Sequence, residues 1–277
     1  MLPNSILAIA LLLSGASLFA AAVLWKKLSA AHRRIHRLER AGHDTALQLA
    51  SLSRSASRTE AGKTLVAPES EAVCHAQHGE EFFLWERLGF KGQGSFIEIG
   101  AYDGVSLSNS LFFEQMGWRG MLVEAHPELA EQCRLARPNA KVVHAALGPE
   151  DGGTVTFSMV RGERGLDTLS FVSTTDQHRN RIESHHGNIE QVTVPARTLR
   201  SVMKEAAITE VDWISVDVEG AELEVLKGAD LEAIRPKIIL VEDNSGGMDS
   251  SVADFLRAFG YRREQTVGCN DMYVYAG

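Results

Sequence analysis

The sequence has few cysteines and no excess of positive charge, and both absences exclude classes of function. Three cysteines occur among 277 residues and none forms a CxxC pair, which predicts free thiols in a reducing compartment rather than a structural zinc site. The formal net charge is -8, whereas proteins that bind nucleic acids need a basic face. The motifs GxSxG, GxxxxGK(S/T) and HExxH are also absent, so hydrolase, P-loop and zinc-peptidase functions have no support.

Residues 5–25 form a long run without charge, SILAIALLLSGASLFAAAVLW. A helix of this length spans roughly 30 Å, the thickness of the hydrocarbon core of a bilayer. No Lys or Arg precedes the run, and it is longer than the apolar part of a usual signal peptide. Residues 1–27 are therefore predicted to be a single-pass transmembrane anchor, and a cleaved signal peptide is the alternative.

Basic residues follow the apolar run, with two Lys and four Arg between residues 26 and 40. The positive-inside rule then places the rest of the chain in the cytoplasm. A heptad pattern over residues 28–52 gives one interpretation, weak dimerisation through a short coiled coil. Gly42 and Thr45 occupy a or d positions of this heptad pattern, where a coiled coil needs apolar side chains, so they favour the second interpretation, a lone helix. Residues 28–70 are assigned to this juxtamembrane helix and a flexible linker of small polar residues.

Residues 71–277 are predicted to form one domain of alternating strands and helices. Strands are expected at residues 96–99, 120–124, 141–146, 212–218, 237–242 and 272–275, and helices at residues 105–117, 127–137, 221–228 and 250–259. Two extra strands, at 154–160 and 191–194, flank a polar stretch at 174–187 that is a candidate lid over the substrate. The alternation predicts an α/β fold with a parallel sheet covered on both faces.

The segment FIEIGAYDG, residues 96–104, ends the first strand, where ligands bind in such folds. Gly100 and Gly104 would let a ligand approach the backbone closely. Glu98 stands where a dinucleotide fingerprint has its first glycine, and its carboxylate would repel a pyrophosphate. A nucleoside that carries an amine and a sulfonium but no phosphate, S-adenosylmethionine, suits this position better.

Glu124 ends the second strand, 20 residues after Gly104, where an acidic side chain can accept hydrogen bonds from both ribose hydroxyls. A dehydrogenase would share this feature, so an NAD-dependent oxidoreductase or epimerase is an alternative. Glu98 and the absence of a Tyr-x-x-x-Lys pair argue against it. A membrane-tethered binding protein without catalysis is a third hypothesis.

Several segments together resemble the FkbM-type methyltransferases: FIEIGAYDG, GWRGMLVEAHPEL, WISVDVEGAELEVLKGAD, KIILVE and the upstream CHAQHGEEFFL. The resemblance covers residues 74–275. It implies a Rossmann-like class I methyltransferase fold, with a seven-stranded, mostly parallel sheet whose last strand is antiparallel. The N-terminal transmembrane helix predicted before this domain is not a feature of the family and depends on the apolar run alone. It also implies S-adenosylmethionine as donor and, commonly, O-methylation of sugars, glycans or other hydroxylated metabolites. By motif match, Glu98, Gly100, Asp103 and Glu124 become cofactor residues.

Asp217 and Glu219 are the candidate catalytic residues. They alternate at the end of a buried strand, so they are predicted to point to one face. Asp217 would take the proton of the acceptor hydroxyl or orient the donor. Glu222, at a helix start, is interpreted as a capping group. No metal site is predicted, although these carboxylates and those of the next strand could hold a divalent cation.

Deleting residues 1–25 should move the protein from the membrane to the soluble fraction without unfolding the domain, because the linker separates the two. Fractionation with a high-salt wash measures this, and circular dichroism checks the fold. Persistent pelleting of the truncated protein would show that the apolar run is not the sole attachment. A reporter fused at Gly277 should respond as cytoplasmic, and a response from the other side of the membrane would overturn the orientation.

Overall fold

The computed structural model describes residues 74–161, 166–172 and 188–277. Within these ranges no helix has the length and apolar character that a membrane span needs. The predicted anchor at residues 1–27, the juxtamembrane stretch at 28–70 with its heptad pattern, and the candidate lid at 174–187 lie outside the described residues and stay predictions.

A seven-stranded sheet forms the centre of the domain, with strand order β3-β2-β1-β7-β8-β10-β9. The first five strands in this order are parallel, and β10 lies antiparallel between β8 and β9. Their bounds are β1 Ser95–Ile99, β2 Arg119–Glu124, β3 Lys141–His144, β7 Trp213–Val216, β8 Ile238–Glu242, β9 Tyr261–Val267 and β10 Asn270–Tyr275. The chain therefore has the Rossmann-like methyltransferase architecture with an antiparallel last strand, as predicted.

Both faces of this sheet are buried. Alternate residues of one strand point to opposite sides, so Ile97 and Ile99 of β1 join one apolar cluster while Phe96 joins another. Trp213 of β7 stacks on Phe96, with ring centroids 5.8 Å apart. The helices of the domain are α1 Glu80–Arg87, α2 Leu111–Gln115, α3 Pro127–Ala136, α4 Leu199–Glu205, α5 Glu222–Lys227, α6 Leu231–Ile234 and α7 Ser251–Ala258.

A smaller sheet is inserted between β3 and β7, with strand order β4-β6-β5. Its strands are β4 Ala146–Leu147, β5 Thr154–Arg161 and β6 Asn188–Arg197, so the two extra strands predicted from the sequence are confirmed and prove longer. A short 3-10 helix, Leu166–Leu169, follows β5, and Phe171 then pairs with Ser158. The insertion thereby brings residues 166–172 back onto its own sheet.

Two expectations from the sequence were wrong or incomplete. The helix predicted at 105–117 is formed only at Leu111–Gln115, because the carboxylate of Glu98 holds residues 108–110 in a loop. The edge strand β9 was missed. Its sequence, YRREQTV, has four charged or amide side chains among seven residues, so it lacks the apolar pattern of a buried strand.

Two buried carboxyl groups fix the segment that precedes α1. Glu81 is fully buried and accepts hydrogen bonds from the backbone N–H groups of His75 and Ala76, at 2.5 and 2.7 Å. Glu80 accepts from the N–H of His78 at 2.8 Å and from the side-chain amide of Asn270 in β10 at 2.9 Å. These bonds tie residues 75–78 to the core of the domain.

Burial raises the pKa of Glu81 from 4.5 to about 8, although the two backbone N–H groups oppose the shift. Between these values the folded chain holds a proton that the unfolded chain has released, so this group makes stability fall as the pH rises. Glu81→Gln keeps an oxygen that can accept from the same N–H groups. Its free energy of unfolding should decline less steeply than that of the wild type between about pH 5 and about pH 8.

Urea unfolding at several pH values measures this slope. Glu86→Gln is the control, because Glu86 lies on the same helix with its side chain exposed. Equal slopes for wild type and Glu81→Gln would contradict the assignment of a buried, protonated carboxyl at this position.

Candidate functional site

A cavity of about 470 Å³ opens at the carboxyl ends of β1, β2, β7 and β8, where ligands bind in parallel α/β sheets. Its size is that of a pocket for a small molecule or cofactor. The strands contribute Glu98, Glu124 and Glu242 directly, and the loop after β7 contributes Asp217 and Glu219. Five of the seven site residues predicted from the sequence thus line this cavity: Glu98, Gly100, Glu124, Asp217 and Glu219. Asp103 and Gly104 lie outside it.

Glu98 is 4 % exposed and binds the loop that follows β1. One carboxylate oxygen accepts from the N–H of Asn109 at 2.7 Å, and the other accepts from the hydroxyls of Ser108 and Ser110 at 2.9 and 2.5 Å. Burial raises the pKa of Glu98, and the nearby guanidinium of Arg137 opposes that shift. Glu98 therefore shapes the loop as well as lining the cavity, and its contact with the donor's amine stays a prediction.

Arg137 supports this loop from behind. It is 1 % exposed, pairs with Glu114 at 2.6 Å and donates to the carbonyl of Gly104 and the hydroxyl of Ser110 at 2.9 and 3.0 Å. The positive charge of Arg137 is thus paired with Glu114 inside the protein, and Arg137 does not line the cavity. Arg137 was not predicted as part of the site, because nothing in its local sequence marks an arginine that binds a loop 33 and 27 residues earlier in the chain.

The two predicted glycines are required by neighbouring protein atoms. Gly100 has φ +83°, and a β-carbon there would overlap the backbone carbonyl of Asp217. Gly104 has φ +80°, and its β-carbon would press on Cys133 and Arg137 at 3.2 Å. Asp103 accepts from the N–H groups of Val105 and Ser106 at 2.8 and 2.6 Å. These residues therefore build the turn that carries the cavity wall.

Glu124 is 7 % exposed at the end of β2. One of its oxygens accepts from the N–H of His126 at 2.7 Å and the other from the N–H of Tyr102 at 2.9 Å. Burial raises its pKa to about 7, against the effect of these backbone bonds. Each carboxylate oxygen can accept a second hydrogen bond, so Glu124 retains the capacity to bind two ribose hydroxyls.

Asp217 lies against Glu242 of β8, and the two carboxyl groups hydrogen-bond to each other. Burial is the largest cause that raises the pKa of both groups, and neighbouring carboxylates raise both further, while the hydrogen bond to Glu242 opposes the shift at Asp217. Two carboxyl groups in such contact repel each other when both are ionised, so a proton shared between them stabilises the pair. The amide of Asn244 also donates to Glu242, at 2.7 Å.

Glu219 lies beside this pair, although the predicted alternation along a strand was wrong, because β7 ends at Val216 and both Asp217 and Glu219 lie in the loop after it. Asp217, Glu219 and Glu242 each offer one oxygen, and these oxygens lie within 4.8 Å of one another. Carboxylates in such a cluster could hold a divalent cation or share protons. Glu222 has a separate role, because it accepts from the N–H of Gly220 at 2.9 Å and so fixes the loop before α5.

Three of the six non-glycine residues with a left-handed φ among the described residues lie in the cavity wall. Tyr102, Leu107 and Glu219 are not glycines, yet they have left-handed φ angles of 54°, 59° and 55°. Such conformations cost about 1–3 kcal/mol each and persist where the surrounding structure enforces them, which is common at functional sites. They could not be found from the sequence, because only glycine marks this conformation reliably.

The charge of the cavity wall is of one sign. Glu98, Glu124, Asp217, Glu219 and Glu242 line it, and among its described residues none is Lys, Arg or His. A ligand with phosphates would meet no cation here, whereas a sulfonium and an ammonium would meet carboxylates. The wall therefore fits S-adenosylmethionine and does not fit a dinucleotide.

A family model described as the methyltransferase FkbM domain matches residues 98–263, more than half of the chain. The chain belongs to the FkbM methyltransferase family. S-adenosylmethionine is the methyl donor of this FkbM methyltransferase. The matched range begins at Glu98 and contains Glu124, Asp217 and Glu242, so the cavity wall lies almost wholly inside the family domain.

Three of the solved structures that are similar to this chain are described as methyltransferases. An O-methyltransferase from Bacillus cereus in complex with SAH is 15% identical over 86% of this chain and 97% of that one, with a TM-score of 0.38. Precorrin-6y C5,15-methyltransferase from Geobacter metallireducens GS-15 is 13% identical over 76% and 92%, with a TM-score of 0.37. The METTL16 MTase domain is 12% identical over 80% and 76%, with a TM-score of 0.42. No curated protein matches the chain.

Glu124→Gln should weaken donor binding by about tenfold or more, because a hydrogen bond to a charged acceptor contributes about 1.5–3 kcal/mol. The amide keeps an acceptor oxygen for only one of the two backbone N–H groups that bind Glu124, so the melting temperature is measured alongside to show that the variant is folded. Calorimetric titration with S-adenosylhomocysteine measures the affinity, and Glu128→Gln, an exposed carboxyl in the next helix, is the control. Affinity within twofold of the wild type in a folded Glu124→Gln protein would remove Glu124 from the ribose site.

Proposed function

We propose that this methyltransferase transfers a methyl group to a hydroxyl of a sugar, a glycan or another hydroxylated metabolite. The observation that carries the proposal is the Asp217–Glu242 pair, which lies in the wall of the donor cavity at the end of β7. A hydroxyl is a poor nucleophile until its proton is removed, and an ionised carboxylate beside the donor supplies a base for it.

Asp217 and Glu242 have different roles in the reaction. When bound, S-adenosylmethionine supplies a methyl carbon whose bond to sulfur breaks as the bond to the acceptor oxygen forms, leaving a neutral thioether. Asp217 takes the hydroxyl proton. Glu242, protonated and hydrogen-bonded to Asp217, fixes the direction of that carboxylate and limits the repulsion between two neighbouring acids. Glu219 adds negative charge beside the positive donor.

The mouth of the cavity supports an acceptor without charge. Leu107 and Val172 line the cavity and are 51 % and 36 % exposed, so they lie where an incoming molecule would contact the wall. Phe157 of the inserted sheet adds an aromatic side chain to the wall. Apolar surface beside hydroxyl-bearing residues suits a sugar ring or a similar hydroxylated compound, which presents both C–H and O–H groups.

We also infer that the enzyme works at a membrane, with the catalytic domain in the cytoplasm. The support is the sequence of residues 1–40 alone, in which an uncharged run of bilayer length precedes a basic cluster. A membrane-proximal or lipid-linked acceptor would agree with this location.

The acceptor can be sought by incubating the purified enzyme with methyl-deuterated S-adenosylmethionine and an extract of cells that lack the gene. Mass spectrometry then finds compounds that gain a deuterated methyl group. Mild alkali distinguishes the products, because a methyl ether survives it and a methyl ester does not. Labelled ethers would support O-methylation of a hydroxyl, whereas labelled amines or esters as the sole products would contradict it.

Asp217→Asn should lower kcat by about 10²-fold or more, the usual scale for a lost acid–base group. Since Asp217 has its pKa raised by burial to about 6, wild-type kcat should fall as the pH drops below that value. The affinity for S-adenosylhomocysteine should stay within a few-fold of the wild type. Glu210→Gln, an exposed residue before the other end of β7, is the control.

Two outcomes would contradict the role of Asp217 as base. One is a lowered melting temperature with kcat of the folded fraction near the wild-type value, which would make the residue structural. The other is loss of activity on chelation with recovery on added magnesium, which would make the carboxylates metal ligands.

A further inference from the structure

We propose that the side-chain amide of Gln77 binds the carboxylate of the amino-acid part of S-adenosylmethionine. Gln77 lies upstream of the matched family range, in the segment between Cys74 and α1, and its side chain lines the donor cavity. The inference concerns how the donor is bound, so it does not depend on which acceptor is methylated.

The backbone on both sides of Gln77 is fixed. Ala76 forms a parallel bridge to Leu107 in the cavity wall, and its N–H is held by Glu81 at 2.7 Å. His78 donates its N–H to Glu80 at 2.8 Å. Gln77 itself is exposed, and its amide makes no hydrogen bond to any described residue. A side chain on a fixed backbone can bind a ligand with less loss of conformational entropy.

Burial of the two carboxyl groups that fix this segment costs free energy. Glu80 and Glu81 are 1 % and 0 % exposed, and one oxygen of Glu81 has no partner among the described residues. Burying a carboxyl group with an unsatisfied oxygen destabilises the fold. Here the buried carboxyl groups hold the backbone of residues 75–78 in place, and Gln77 is the residue of this segment that lines the cavity.

The electrostatics of the cavity define what Gln77 would bind. The donor carries an ammonium, a sulfonium and a carboxylate. The carboxylates in the wall attract the ammonium and the sulfonium of the donor, but they repel its carboxylate. The described lining has no Lys, Arg or His to offset this repulsion. A neutral N–H donor is therefore needed for the carboxylate.

Three other side-chain donors in the wall form hydrogen bonds within the protein. Ser106 donates to Asp103 at 2.7 Å, Ser108 donates to Glu98 at 2.9 Å, and the amide of Asn109 donates to Ser215 at 3.2 Å. The amide of Gln77 has two N–H groups and no such bond. The amide of Gln77 is therefore a side-chain donor that is available to a ligand.

The test compares S-adenosylmethionine with decarboxylated S-adenosylmethionine, which keeps the sulfonium and the amine and lacks the carboxylate. Calorimetric titrations of the full-length protein in detergent give both affinities. Gln77→Ala should lower the affinity for S-adenosylmethionine by about tenfold, the worth of a hydrogen bond to a charged group, and leave that for the decarboxylated compound within twofold. Gln77→Glu should lower the affinity for S-adenosylmethionine further. It should leave the affinity for the decarboxylated compound unchanged or raise it.

Gln132→Glu is the matched control, because it makes the same change of charge at an exposed site on α3, outside the cavity. It should leave both affinities unchanged. Equal losses for the two compounds in Gln77→Ala would overturn the proposal, since the residue would then act on the nucleoside or on the loop. Unchanged affinities in both Gln77 variants would overturn it as well. A wild-type protein that bound neither compound would refute the donor site itself.

Discussion

Burial of carboxyl groups at the carboxyl edge of the sheet is the constraint on which the rest of the site depends. Glu80, Glu81, Glu98 and Glu124 are all less than a tenth exposed, so each loses most of its hydration on folding. Backbone N–H groups and serine hydroxyls replace the lost water. Each of these donors belongs to a loop around the cavity, so satisfying the carboxyl groups also fixes the loops.

The same constraint sets the charge of the cavity. Had the buried acids been neutralised by lysines or arginines in the wall, the cavity would attract anions. The buried Arg137 instead contacts the loop from behind, paired with Glu114. The wall keeps its negative potential, which favours a ligand with a sulfonium and disfavours a pyrophosphate. Close contact between Gly100 and the backbone of Asp217 then brings the donor site and the acid pair together.

Much of this could be predicted from the sequence, and the failures have physical causes. The central strands are short apolar runs, so their places were found. Glu98, Gly100 and Glu124 could be placed at the cavity because they lie near the ends of those runs or directly after them. β9 was missed because an edge strand needs no apolar pattern. The helix at 105–117 was predicted too long because apolar periodicity does not reveal that Glu98 binds residues 108–110. Arg137 supports the cavity loop only through tertiary contacts, which leave no local pattern. Gln77 lies in the segment CHAQHGEEFFL, whose resemblance to the family did not show that it lines the cavity.

The account rests on the claim that this acidic wall selects a cationic nucleoside. Equilibrium dialysis of the purified full-length protein with radiolabelled S-adenosylmethionine tests it, with unlabelled NAD as competitor. The account predicts that one equivalent of S-adenosylmethionine is retained and that excess NAD does not displace it. Displacement by NAD, or retention of radiolabelled NAD with equal affinity, would contradict the account.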